Sequence, residues 1–170
     1  MIDSARGPDP RAVRDDRGEH AAAVTPGPRG MPPVELHRHG PVRDREAFLR
    51  RMPNAIVATL RREAAPNLSP NWFLWTGAEF WISTLAWTAK VKNLRRDPRL
   101  SLCIDDPISG DYVTAYGIAR IIDDETVRER TLELIRKYRS EEDVLPHWER
   151  IKGDRVILAM TPDQFAWQEW

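Results

Sequence analysis

The chain has 170 residues with 26 basic and 26 acidic side chains, so its formal net charge is zero. That balance provides no global field to gather nucleic acid or an anionic membrane, and any anion site must be local. The length supports one hydrophobic core; no apolar run approaches a membrane span, no hydrophobic signal region is visible, and the single Cys103 excludes an internal disulfide. Together these features predict a soluble cytoplasmic protein whose lone thiol, inside the apolar run from Leu100 to Ile104, is buried and inert.

Residues 1–40 are rich in Pro, Gly, Arg and Asp and nearly devoid of large apolar side chains. Such a segment cannot bury enough surface to offset its ordering entropy, so it is expected to be a disordered extension, with Met31 as an alternative to Met1 as the start. His37 and His39 have a spacing that can suit a metal but lack acidic or thiol partners, and no metal is expected. Residues 41–170 form the predicted folded domain.

Arg43 to Met52 reads as a short helix with Phe48 and Leu49 inward, ended by Pro53. Strands are then predicted over Ala55–Leu60, Leu68–Trp75 and Phe80–Leu85, the last two joined by a hairpin turn at Thr76-Gly77-Ala78-Glu79. A basic helix follows from about Ala89 and is stopped by Asp97-Pro98. Beyond it, Leu100, Leu102 and Ile104 alternate with Ser101 and Cys103 as a half-buried strand does. Tyr112–Ile122 is the longest strand, with Val113, Ala115, Gly117, Ala119 and Ile121 on one face. Asp123 or Asp124 caps a helix with the stripe Val127, Thr131, Leu134, Ile135 and Tyr138, and a second helix carries Val144, Leu145, Trp148 and Ile151. Arg155–Met160 is the final strand, and Thr161-Pro162 turns the chain into an aromatic tail of Phe165, Trp167 and Trp170. About six hairpin-linked strands with few crossover helices predict a mainly β fold with peripheral helices, a small antiparallel barrel rather than a parallel α/β sheet. No Gly-rich dinucleotide loop or P-loop occurs.

The junction of strand and basic helix has the chemistry of a phosphate site. Its residues run from Ser83 and Thr84 through Trp87, Thr88, Ala89 and Lys90 to Asn93. A helix N-terminus presents unpaired amides and the positive end of the helix dipole; Thr88 is placed to cap it, and Lys90 sits in the first turn. A cation there is unfavourable unless an anion is present. At about 100° per residue Val91 and Leu94 face the core and Lys90 and Asn93 lie on a flank, able to reach a ligand. Lys92, Arg95 and Arg96 are expected to be solubilising.

The order of elements and the run Lys90-Val91-Lys92-Asn93-Leu94-Arg95-Arg96-Asp97-Pro98 resemble the pyridoxamine 5′-phosphate oxidase-like superfamily, in particular its flavin- and deazaflavin-dependent oxidoreductase branch. The likeness covers about Arg45 to the C-terminus. Pro70-Asn71-Trp72-Phe73 looks like the family segment that runs beside the cofactor ring, Val156–Pro162 like its closing strand, and Tyr112 aligns with a position near the cofactor, although a strand-edge tyrosine reads as well. The resemblance implies a split β-barrel homodimer with two cofactor sites at the subunit interface and the cofactor phosphate on Lys90. Coenzyme F420 is the cofactor implied, with FMN as the alternative. Two departures stand out. Trp87 and Thr88 occupy places where many members have Arg or a Ser-rich turn, and Tyr116 precedes Gly117 where many have Glu.

Seven tryptophans are present, and Trp72, Trp75, Trp81 and Trp87 crowd the strands beside the basic helix. Trp75 and Trp81 read equally as core or interface residues, whereas Trp87 is placed to cover a cofactor or wall a substrate channel. No Ser/His/Asp set or spaced carboxylate pair supports hydrolysis, and no catalytic residue is identified. The implied activity is hydride transfer between F420 and a small unsaturated or conjugated carbonyl compound. Other classes are an FMN-dependent oxidoreductase and a non-catalytic carrier of flavin, haem or bilin.

Overall fold

The computed structural model describes residues 44–168. The expectations for residues 1–40, for His37 and His39, for the choice between Met1 and Met31 and for Trp170 lie outside them. Eleven elements follow in order: α1 (Arg45–Arg51), β1 (Ala55–Leu60), β2 (Pro66–Asn71), β3 (Leu74–Trp75), β4 (Phe80–Leu85), α2 (Ala89–Arg96), β5 (Arg99–Asp105), β6 (Tyr112–Ile122), α3 (Val127–Arg136), α4 (Glu141–Ile151) and β7 (Arg155–Gln168). No described helix is long and apolar enough to cross a membrane.

All seven strands belong to one antiparallel sheet in the order β2-β1-β5-β6-β7-β4-β3. Its two edge strands, β2 and β3, are consecutive in the chain and separated only by Trp72 and Phe73. A flat sheet would put them about 29 Å apart at ~4.8 Å per strand spacing, whereas three residue steps reach only about 11 Å. The sheet must therefore roll up until its edges approach each other without pairing, which is a barrel split along one seam.

The inward faces form the main core. Phe73, Phe80, Ile82, Leu100, Leu102, Ile104, Val113, Leu158 and Met160 meet there, with Phe48 and Leu49 from α1 and Val91 and Leu94 from α2. Helix α3 covers the outer face beside β4 and β7 through Ile122, Val127, Ile157 and Ala159 with Trp81, and α4 packs in turn on α3 through Leu132, Ile135, Val144 and Trp148.

Several elements differ from their predicted extents, each for a local reason. The strand expected over Leu68–Trp75 is two strands, because the Phe73 backbone is taken out of the ladder by the Tyr138 hydroxyl, which accepts from its N–H at 2.8 Å and donates to its C=O at 2.7 Å. Pro66 and Pro70 are tolerated because β2 is an edge. The final strand does not end at Met160, and Thr161-Pro162 lies within it rather than forming a turn. It runs on to Gln168 through a bulge where Gly117 pairs with Pro162 and Tyr116 with Gln164, leaving Asp163 as the extra residue. Asp124 does not cap α3 directly; it accepts from the N–H and hydroxyl of Thr126, whose own side chain makes no cap bond. Leu145 is exposed rather than core.

Candidate functional site

Strand β4 delivers the chain to α2 through the turn Ala86-Trp87-Thr88. Ala86 is fixed by donating to the Asp154 carbonyl at 2.8 Å, and the Thr88 N–H donates to the Leu85 carbonyl at 3.1 Å. Thr88 occupies the N-cap position, but its hydroxyl does not cap. It points back, donating to the Leu85 carbonyl at 2.9 Å and lying 3.4 Å from the Thr84 hydroxyl. The expected cap is thus absent, and the first-turn amides of α2 receive no side-chain acceptor.

Nothing acidic stands in that first turn. Lys90 is half-buried there, makes no hydrogen bond or ion pair with any described residue, and burial pushes its ammonium below the ordinary lysine range. Unpaired amides, the positive helix end and a desolvated cation therefore occupy one place without a compensating negative charge. Trp87, 65% exposed, projects immediately before it.

The remaining candidates divide. Thr84 is buried on the inward face of β4 and touches Thr88. Ser83 faces the other way, with its hydroxyl 2.9 Å from that of Thr131 on α3 and accepting from Arg155 Nε at 2.9 Å. Asn93 does not lie on the flank. It is buried, and its amide donates to the Thr59 hydroxyl on β1 at 3.0 Å, which joins the helix to the sheet.

Asn71 and Trp72 sit near the opposite end of β1, since Asn71 pairs with Ala55. Four residue steps lead from Ala55 to Thr59, or about 13 Å along the strand. The Asn71 amide turns back to the Ser69 carbonyl and hydroxyl. Trp72 stacks with the rings of Tyr138 (4.2 Å, 3°) and His147 (5.2 Å, 23°). Tyr112 begins β6 opposite Asp105 and Gln168, and among the described residues no hydrogen bond or ring contact joins it to α2. The structure thus brings Thr84, Trp87, Thr88, Ala89 and Lys90 together and gives Ser83, Asn93 and Trp72 structural partners.

Sequence reasoning missed Arg61 and Arg62. They sit in the β1–β2 turn and, with Glu63, Ala89, Lys92, Asn93 and Arg96, line an open cleft of about 530 Å³ along α2. Arg96, expected to be merely solubilising, anchors that turn by donating to the Leu60 carbonyl. The basic pair was visible in the sequence, but its approach to α2 depends on β1–β2 pairing, which no local pattern reveals. Among the described residues no group of three or more His, Cys, Asp or Glu side chains is arranged to hold a metal.

Comparison with known proteins agrees with this architecture. Nothing among the curated proteins matches. The fold is shared with a conserved hypothetical protein, Rv2991, from Mycobacterium tuberculosis (23% identity, TM-score 0.65, covering 75% of this chain and 86% of that one). An F420 reductase is 25% identical with a TM-score of 0.59 over 75% of this chain and 98% of its own. HutZ, described as a haem storage protein from Vibrio cholerae, is 14% identical with a TM-score of 0.58 over 72% and 90%. The profile of the pyridoxamine 5′-phosphate oxidase family matches residues 43–168, and the chain belongs to that family.

Proposed function

We propose that this protein is an oxidoreductase that uses the deazaflavin coenzyme F420 to transfer hydride to or from a small unsaturated or conjugated carbonyl compound. The observation that carries the reading is the half-buried, unpaired Lys90 at the uncapped start of α2. A phosphate there meets the cation and the free amides together, a charge-assisted contact of about 1.5–3 kcal/mol before the backbone bonds are counted. The likeness to an F420 reductase supports F420 over FMN.

When bound, the deazaflavin supplies the hydride-transfer chemistry. The protein's part is positional. Lys90 and the amides from Ala89 to Val91 hold the phosphate, Thr84 and Thr88 fix the turn that presents them, and Trp87 shields the site. Asn71 and the backbone beside Trp72 mark where the ring end lies, and Tyr112 is assigned to the same end. The cofactor-binding domain is residues 41–170, and we place the protein in the cytoplasm.

The site is completed by a second copy of the chain. Leu68, Ala58, Ser101 and Tyr116 form one register row across β2, β1, β5 and β6 on the outward face, with Leu68 and Tyr116 exposed and Ile118 exposed beside them. An open sheet face of this composition is the surface a homodimer buries.

The likeness to HutZ favours a second reading, a haem carrier without turnover. His147, the one histidine among the described residues, accepts from Arg150 at Nδ1 and stacks on Trp72, which weighs against it as an iron ligand. The test is a parallel titration with F420, FMN and haem, followed by mixing with reduced F420 and an acceptor. Tight F420 binding with reoxidation supports the enzyme, and haem binding without F420 binding rejects it.

A further inference from the structure

A second basic site lies on the helical layer. Where α3 hands over to α4, a cleft of about 270 Å³ is lined by Arg139, Asp143, Pro146, His147 and Arg150. The His147 ring is oriented from two sides: it stacks on Trp72, and its Nδ1 accepts from Arg150 Nη2 at 2.7 Å, which leaves the neutral ring's proton on Nε2. The Arg139 guanidinium lies 5.1 Å from the Trp72 ring centre. Among the described residues neither Arg139 nor Arg150 has a carboxylate partner; Asp143, the one acid in the lining, accepts from the Ser140 hydroxyl at 3.0 Å. Arg155, fixed by Ser83 and by the Ile151 carbonyl, adds a further positive charge that acts on His147.

We propose that this cleft binds a small oxyanion, a carboxylate or a phosphate group, between the forks of Arg139 and Arg150 and the imidazole of His147. Guanidinium forks match the two-oxygen edge of such groups, and gathering like charges in one cleft is unfavourable until an anion neutralises them. The state of His147 agrees: burial and then the charges of Arg150, Arg139 and Arg155 hold it below the ordinary histidine range, with only Asp143 opposing. The site is separate from the α2 helix start and does not depend on the F420 reading.

The test uses the full chain and the titration of His147 followed by NMR, with His147→Gln identifying its signal among the four histidines. At constant ionic strength, inorganic phosphate or acetate is expected to move the signal saturably and to raise its titration midpoint. The more effective of the two identifies the ligand class. Arg139→Ala and Arg150→Ala, both at exposed positions, are each expected to weaken binding at least tenfold, while Lys90→Ala leaves it unchanged. A signal indifferent to both anions, or moved equally by chloride, or equally responsive in the Arg139→Ala/Arg150→Ala double variant, overturns the proposal.

Discussion

The hydroxyl of Tyr138 clamps Phe73 at both ends of its peptide unit, accepting from the N–H at 2.8 Å and donating to the C=O at 2.7 Å. One side chain of the helical layer thereby replaces the ladder bonds that Phe73 lacks at the seam of the barrel. Burial pushes that hydroxyl's pKa above the usual tyrosine range, so it remains a donor throughout the working pH range. Tyr138→Phe leaves two backbone groups unpartnered and is expected to cost about 2–4 kcal/mol in chemical denaturation, at ~1–2 kcal/mol per buried group. A loss below about 0.5 kcal/mol would mean that the seam is satisfied in another way.

Gly117 is required by space rather than by backbone conformation. A Cβ at this position would stand 2.6 Å from the Thr161 carbonyl oxygen and 3.0 Å from the Met160 side chain. Gly117→Ala must open the β6–β7 bulge and is expected to lower stability by about 1–3 kcal/mol. Gly77, with φ +94 and nothing within 4 Å, makes the contrast: Gly77→Ala strains the backbone but meets no neighbour, and thermal unfolding should rank it the milder change.

Lys137 gives stability a definite pH dependence. Its ammonium donates to the Leu49 carbonyl at 3.0 Å and lies 3.6 Å from the Phe73 ring centre, and burial lowers its pKa to about 7. In the unfolded chain the same group titrates at the ordinary lysine value, 10.5. Between those values the unfolded state binds more protons, so this group makes stability rise as pH increases from about 7 toward 10. Lys137→Met is expected to flatten that rise in denaturation midpoints measured at pH 7, 8 and 9. An unchanged slope would contradict the assignment.

The outward row predicts the assembly. Tyr116→Asp and Leu68→Asp put charge on the face shared by β2, β1, β5 and β6, and light scattering should report a dimer for the wild type and a monomer for either variant. A wild-type monomer at micromolar concentration removes the dimer from the account.

What was legible in the sequence was whatever local chemistry determines. β1 and β4 have the expected bounds because apolar alternation is ended by turn residues on both sides, and α2 stops where Asp97-Pro98 must stop it. Long-range partners were not legible. Tyr138 splits one strand, the bulge opposite Gly117 carries another past Pro162, and Thr59 draws the Asn93 amide inward. At the site, Lys90 was visible because a cation at a helix start is locally anomalous, whereas the backward turn of the Thr88 hydroxyl depends on the preceding strand.

The most direct measurement titrates wild type and Lys90→Ala with F420 while recording the thermal stability of each without cofactor. Removing a desolvated, unpaired cation from the positive end of α2 should leave the empty protein as stable as before or more so, by up to about 1 kcal/mol. The same change should weaken F420 binding by about 10- to 100-fold, the equivalent of one charge-assisted phosphate contact. Unchanged affinity in the variant would contradict the central claim.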